Sequence, residues 1–318
     1  MKLSIIVPCY HEGESVRTAH REITARLAEA APGLAYEVIF VDDGSRDDTF
    51  AHLAAVAAAD SDRVRVLRLG ANVGSHMAIR AGLEHAAGDH ACFLACDLQE
   101  PPALIPRLLE LCRAPVQVVW AVRDTRADPL TTRLFAWCFY RLARRLVSGE
   151  MPRGGASMFL LGPQAVTAVR LYRERNLTLE GLFATMGFPM AMLPYQRQAR
   201  AHGVSKWTLA KKLKLFADFF TAYSYAPIRL ISYLGLAVAG CGFLFALYLL
   251  VARLVLGTAM LTGYTTIMIT VLVLGGFQMI LMGVLGEYIW RTLDEVRARP
   301  RYLVEQELGG AQKPTAPP

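Results

Sequence analysis

The chain has 318 residues, 54% hydrophobic and 19% charged, with a formal net charge of +7 and a mean hydropathy of +0.31. That length holds one large domain with an appendage or two modest domains, and the hydropathy is high for a wholly soluble protein. The charge suits an anionic substrate or membrane surface, and no helix-turn-helix, zinc or RNA-binding pattern accompanies it, so no nucleic-acid partner is expected.

The apolar excess is concentrated after Ile228; the residues before it alternate short apolar runs with charged helical stretches. The opening MKLSIIVPCY is too short in its apolar run, and too soon interrupted by Pro8, for a secretory leader. The polar part is therefore expected to remain in the cytosol. Leu3–Val7 reads as a buried parallel strand entering a loop, and Glu14–Ala31 as a helix stopped by Pro32 and Gly33. Strands follow at Tyr36–Val41, Val64–Leu69 and Ala91–Cys96, separated by helices over about Asp48–Ala59 and His76–Ala87. This alternation predicts an α/β, doubly wound, Rossmann-like and mostly parallel sheet. Such sheets bind ligands beyond the carboxyl ends of their strands. Here those ends carry Pro8-Cys9-Tyr10, Asp42-Asp43 and Asp97-Leu98-Gln99.

A basic, partly aromatic helix is expected from about Thr131, and another strand at Met158–Leu161. Further on, Leu209, Leu213, Phe216 and Phe220 recur at helical spacing, with Lys211, Lys212 and Lys214 on other faces. That is the pattern of an amphipathic helix in a membrane interface, or alternatively of a basic helix on the soluble core. No charged residue lies between Arg229 and Arg253, or between Arg253 and Glu287. Each stretch supplies the roughly 20 apolar residues that a membrane span needs. Basic residues flank the pair on both sides, which places both flanks in the cytoplasm. The small residues Gly235, Ala239 and Gly240 leave room for close helix contact, either within the hairpin or in a homo-oligomer. The six cysteines (Cys9, Cys92, Cys96, Cys112, Cys138 and Cys241) form no CxxC pair or metal-ligand spacing and read as small buried residues in a reducing compartment.

The acidic pair at Asp42-Asp43-Gly44-Ser45 suits hydrogen bonds to a uracil N–H or ribose hydroxyls; by itself it reads equally as an Asx turn with a helix cap. It is joined by LSIIVPCYHE, ANVGSHMAIRAGLEHAAGD, ACDLQEPP, HGVSKWTLAKKLKL and the terminal apolar pair. In this order, these segments resemble glycosyltransferase family 2, of the GT-A fold. The branch is that of dolichol-phosphate mannose synthases and bacterial polyprenyl-phosphate glycosyltransferases, and the likeness extends to about Arg301.

The resemblance implies a metal-dependent, inverting transfer from a nucleotide sugar, most often a UDP-sugar, to polyprenyl (undecaprenyl) phosphate. Asp97 matches the second acid of the family's DxD motif, which implies Mg²⁺ or Mn²⁺ bound there. The same match gives Pro8, Tyr10, Glu12, Asp42 and Asp43 to the nucleoside, Gln99 to the nucleotide sugar as a second contact beside Asp97, Arg200 and Lys206 to gripping the diphosphate or ordering a loop over it, and Arg123 and Arg133 to the lipid phosphate. The implied setting is the bacterial inner membrane, multi-pass, with the catalytic domain and both termini cytosolic. The expected division is a GT-A domain over residues 1–204, a juxtamembrane region over 205–227, spans near 230–252 and 264–288 within 228–290, and a cytosolic tail over 291–318. The stretch after Gly309 is expected to be disordered.

The sequence departs from the family pattern at three places: His11 replaces the usual Asn, Ala95 the first DxD acid, and Ser157 an acid found in many relatives. These departures support a competing reading, a scaffold of the same fold that pairs with an active partner or a flippase. A processive polysaccharide synthase is a third reading, but the QxxRW motif of that group is missing.

Overall fold

The structure, a computed structural model, describes residues 1–123, 137, 139–145, 156–172, 178–196, 226–256 and 263–310. The expected positions Arg133, Arg200 and Lys206, the amphipathic segment Ser205–Phe220 and the stretch after residue 310 lie outside the described residues. Contacts divide the chain into two compact units, Met1–Lys212 with Pro300–Pro318, and Leu213–Arg299.

The first unit opens with β1 (Lys2–Cys9), α1 (Ser15–Ala30), β2 (Ala35–Asp42), α2 (Thr49–Ala59), β3 (Val64–Leu69), α3 (Ser75–His85) and β4 (His90–Phe93). These elements match the expected alternation, with β4 ending three residues before Cys96. The chain nevertheless stays beside β1, since Leu94 N–H donates to Ile6 O at 3.0 Å. Then come α4 (Ile105–Leu111), β5 (Val118–Arg123), β6 (Ala156–Leu161), α5 (Pro163–Leu171), α6 (Leu179–Thr185), β7 (Met190–Tyr195) and, close to the C-terminus, β8 (Val304–Leu308).

The eight strands form one sheet in the order β7-β5-β6-β4-β1-β2-β3-β8. β1 to β5 and β7 run in one direction, while β6, inserted between β4 and β5, and β8, at the edge, run against them. The residues Val304–Leu308 were expected to belong to a tail; they instead extend the sheet at β3. Both faces are covered, which is why the central strands are apolar almost without interruption. Leu3, Ile5, Val7 and Cys9 pack with Val16, Ala19, Ile23 and Leu27 of α1 in one buried cluster. On the opposite face α3 comes so close that Ile6 stands where a Cβ on Gly82 would be. Each such buried aliphatic side chain contributes about 1.5–3 kcal/mol relative to exposure. The aromatic cluster of Trp120, Phe159 and Phe183 fills the layer beside β5 and β6.

The second unit contains two long helices, α7 (Ala226–Leu256) and α8 (Tyr264–Val296). The expected boundary at residue 290 thus falls within α8. Among the described residues, one segment, Val273–Val296 in α8, is long and apolar enough to cross a membrane, and Ile231–Phe245 in α7 forms a shorter apolar stretch. Apolar side chains of both helices are exposed: Phe243 and Phe245 of α7 and Ile280 and Met282 of α8 each show more than half their surface.

Candidate active site

The candidate site lies at the carboxyl edge of the parallel strands, and hydrogen bonds tie its loops together. Asp43 N–H donates to Cys9 O at 2.9 Å, and His11 N–H donates to Ser45 Oγ at 3.1 Å. Thr49 Oγ1, in the first turn of α2, accepts from Glu12 N–H at 2.9 Å and Gly13 N–H at 2.8 Å. The β1 loop is thereby fastened to the acidic loop after β2. Tyr10 is partly exposed and stacks on His11, with ring centroids 4.1 Å apart and planes inclined by 21°.

His11 adopts φ +53°, and its Nε2 accepts Arg46 N–H at 3.2 Å. The left-handed region is enriched in Asn, Asp and His because their polar side chains bond locally. The backbone therefore explains why His serves where Asn is usual: the conformation and a side-chain acceptor are both retained.

Asp42 is fully buried, and its Oδ1 accepts Ser45 N–H at 3.1 Å. Oδ2 accepts no hydrogen bond among the described residues; Arg68 Nε stands 3.8 Å away. Asp43 holds the start of α3, accepting Val73 N–H at 2.7 Å and Gly74 N–H at 3.0 Å, one on each carboxylate oxygen. Burial outweighs these bonds and holds its carboxyl above the ordinary carboxylate range, aided by the charge of Asp42. A raised pKa in the folded state means that protonation favours folding. The contribution of Asp43 to stability is thus fully present below the unfolded value of about 3.9 and is lost as pH rises through the folded value. The stability of the wild type minus that of Asp43→Asn is expected to fall as pH rises above about 4, as measured by thermal unfolding at a series of pH values.

After β4, the buried Cys9 thiol donates to Val7 O at 3.6 Å, and burial, with Cys96 near it, raises that thiol well above its usual value. The bond from Leu94 N–H to Ile6 O keeps the chain that leads to Asp97 beside β1. Asp97 is half-buried, and its Oδ1 accepts Gln99 N–H at 3.3 Å. Leu98 between them takes φ +50°, a conformation costing a branched residue roughly 1–2 kcal/mol. Strain of this kind is retained where surrounding structure fixes it, often at functional sites. Gln99 and Glu100 are buried, and Tyr195 Oη at the end of β7 donates to Glu100 Oε1 at 2.9 Å. Arg123, half-buried, ends β5 on the same edge, paired in register with Tyr195.

The structure therefore brings the segments of Pro8, Tyr10, Glu12, Asp42, Asp43, Asp97, Gln99 and Arg123 to one edge. It adds Arg68 of β3 and the Glu100–Tyr195 pair, which sequence reasoning did not single out. An Arg inside a strand and a Glu inside a turn motif carry no distinctive local signal.

Residues 4–174 match the family described as "Glycosyl transferase family 2". The SfII prophage-derived bactoprenol glucosyl transferase of Shigella flexneri is 33% identical over 311 residues, covering 98% of this chain and 99% of that one. The chain belongs to glycosyl transferase family 2. This glycosyltransferase is also 35% identical, over 96% of its length and 93% of the other, to the undecaprenyl-phosphate 4-deoxy-4-formamido-L-arabinose transferase of Sodalis glossinidius. Among solved structures, glucosyl-3-phosphoglycerate synthase from Mycobacterium tuberculosis, in complex with Mg²⁺ and uridine-diphosphate, has 17% identity and a TM-score of 0.49, covering 70% of this glycosyltransferase and 79% of that chain.

Proposed function

We propose that this glycosyltransferase moves a sugar from a UDP-sugar to polyprenyl phosphate, with undecaprenyl phosphate as the acceptor, at the cytosolic face of a bacterial inner membrane. The observation that carries the reading is the convergence of Asp42, Asp43 and the Asp97 segment on one carboxyl edge, where β2 and β4 flank β1 in parallel. The relatives' names, bactoprenol glucosyl transferase and undecaprenyl-phosphate transferase, support the acceptor class.

Asp42 and Asp43 supply acceptors for the nucleoside, together with Pro8, Tyr10, Glu12 and Gln99; Arg200 and Lys206 are assigned to the donor's diphosphate. No group of three or more His, Cys, Asp or Glu side chains forms a metal cluster among the described residues. Asp97 would supply one hard carboxylate oxygen to an Mg²⁺ or Mn²⁺ ion bound with the donor, whose phosphate oxygens and water would supply the rest. Such an ion neutralises charge on the leaving diphosphate. The loss of the first DxD acid at Ala95 is compatible with that arrangement.

The acceptor's second pKa lies near ~6, so it is largely dianionic at neutral pH and attacks without a strong general base. An acceptor oxygen bonds to the anomeric carbon on the face opposite the diphosphate. The bond from that carbon to the leaving oxygen breaks, its electron pair departs with UDP, and configuration inverts. Arg123 and Arg133 hold the acceptor phosphate, for which the guanidinium fork is well matched. Their task is to bring two anions together. α7 and α8 anchor the enzyme as a two-span hairpin with both flanks cytosolic, and the exposed apolar side chains of both helices support this.

The test is incubation of membranes containing the protein with a panel of radiolabelled nucleotide sugars and undecaprenyl phosphate. A labelled lipid from one UDP-sugar is the expected result. Failure of every donor to label lipid, with the protein folded, would leave the scaffold reading in its place.

A further inference from the structure

The C-terminal strand reaches the acidic loop after β2 through a single glutamate. β8 pairs with β3 so that Arg68 opposes Gln306 while Leu69 opposes Val304, which leaves Glu305 as the extra residue of a β-bulge. A bulge redirects the side chain that it carries, and bulges are over-represented beside active sites. Here Glu305 Oε2 lies 3.6 Å from Arg68 Nε. The same Nε lies 3.8 Å from Asp42 Oδ2, and the guanidinium sits over the Phe50 ring, 4.5 Å from its centroid. One arginine is thus shared between a buried acid at the nucleoside end of the crevice and an exposed acid on the last strand. The rest of the strand is firmly seated. Arg65 Nη2 donates to Glu307 Oε1 at 2.6 Å, Gly70 N–H to Leu303 O at 3.0 Å, and both Arg301 and Tyr302 reach Glu84 of α3.

We propose that Glu305 is a positioning residue for donor binding: it gives Arg68 a second anchor, so that Asp42 Oδ2 can exchange Arg68 for a nucleoside N–H or hydroxyl. The inference rests on the donor-site reading above. Among the described residues Asp42 Oδ2 is buried with no hydrogen-bond donor, and a buried acceptor of that kind gains most from a ligand that supplies one. Arg68 is the group that competes for it. With Glu305 present, Arg68 has a carboxylate to move to while it stays stacked on Phe50. Without Glu305, the guanidinium loses that alternative and remains on Asp42.

The experiment measures UDP affinity in the presence of Mg²⁺, and steady-state donor kinetics, for the detergent-solubilised full chain. The variants are Glu305→Gln, Asp42→Asn and the double substitution. Glu305 is exposed, so its pair with Arg68 is solvent-screened, and Glu305→Gln is expected to weaken UDP about two- to five-fold. KM for the donor should rise by the same factor with kcat unchanged, and the difference should shrink in high salt. In the Asp42→Asn background the same substitution should change little, because the two act on one site. If Asp42→Asn binds UDP as the wild type does, the donor-site reading itself is overturned. If Asp42→Asn weakens UDP while Glu305→Gln does not, the donor site stands and the role of Glu305 is refuted. Additive losses in the double variant, accompanied by a lowered unfolding temperature in Glu305→Gln, refute it equally, since that pattern belongs to strand docking alone.

Discussion

Replacing Asp97 by Asn is expected to lower sugar transfer by about 10²–10⁴-fold while leaving the fold intact. The side chain follows the tip of β4, half-buried, with Oδ1 oriented by Gln99 N–H at 3.3 Å. Asn keeps the shape and an acceptor for that N–H but lacks the negative charge that a hard cation requires. Cation stabilisation of a leaving diphosphate is worth several kcal/mol, and each 1.36 kcal/mol is a factor of ten in rate. The loss should fall on kcat, because the interaction strengthens as charge develops on the leaving group. A binding measurement separates this from a general defect. Mg²⁺ should enhance UDP affinity in the wild type, and the enhancement should disappear in Asp97→Asn. Undiminished turnover in that variant would remove the assignment.

The second large effect is expected at Gly44, for steric reasons. Gly44 has φ +69°, and a Cβ added there would lie 2.7 Å from Ala71 C and 2.8 Å from Asn72 N. Both neighbours are backbone atoms of the loop that leads into α3, whose start is gripped by the Asp43 carboxylate. They cannot yield without disturbing that grip. The left-handed conformation alone costs Ala roughly 1–2 kcal/mol, and displacement of the loop adds to it. Gly44→Ala is therefore expected to destabilise the catalytic unit by roughly 2–4 kcal/mol, a drop of about 5–15 °C in unfolding temperature for a unit of this size. Nucleotide affinity should fall with it. An unchanged unfolding temperature together with unchanged UDP binding would show that the loop can move aside freely.

These two sites differ in how far the sequence announces them. Asp97 is legible because DLQEPP is a distinctive string that follows an apolar strand. Gly44 is legible only as part of a turn, since the closeness of Ala71 and Asn72 depends on how the loops after β2 and β3 meet. His11 shows the reverse case. It looked like a departure from pattern, yet φ +53° and the bond from Arg46 N–H make His a fitting occupant.

By itself the sequence determined the βαβ rhythm of the first half, the carboxyl-edge position of Tyr10, Asp42, Asp43 and Asp97, and the long apolar stretches after Ile228. These follow from local periodicity, because a strand buried on both faces must be apolar along its length and a helix apolar on one side. Only the tertiary structure decided the strands Val118–Arg123, Met190–Tyr195 and Val304–Leu308, and the insertion of β6 against its neighbours. Short strands have little periodicity of their own, and pairing partners far apart in sequence fix them. The same holds for the link from Glu305 through Arg68 to Asp42. It joins residues more than two hundred positions apart, and it exists because a bulge in the last strand turns one carboxylate toward the acidic pair.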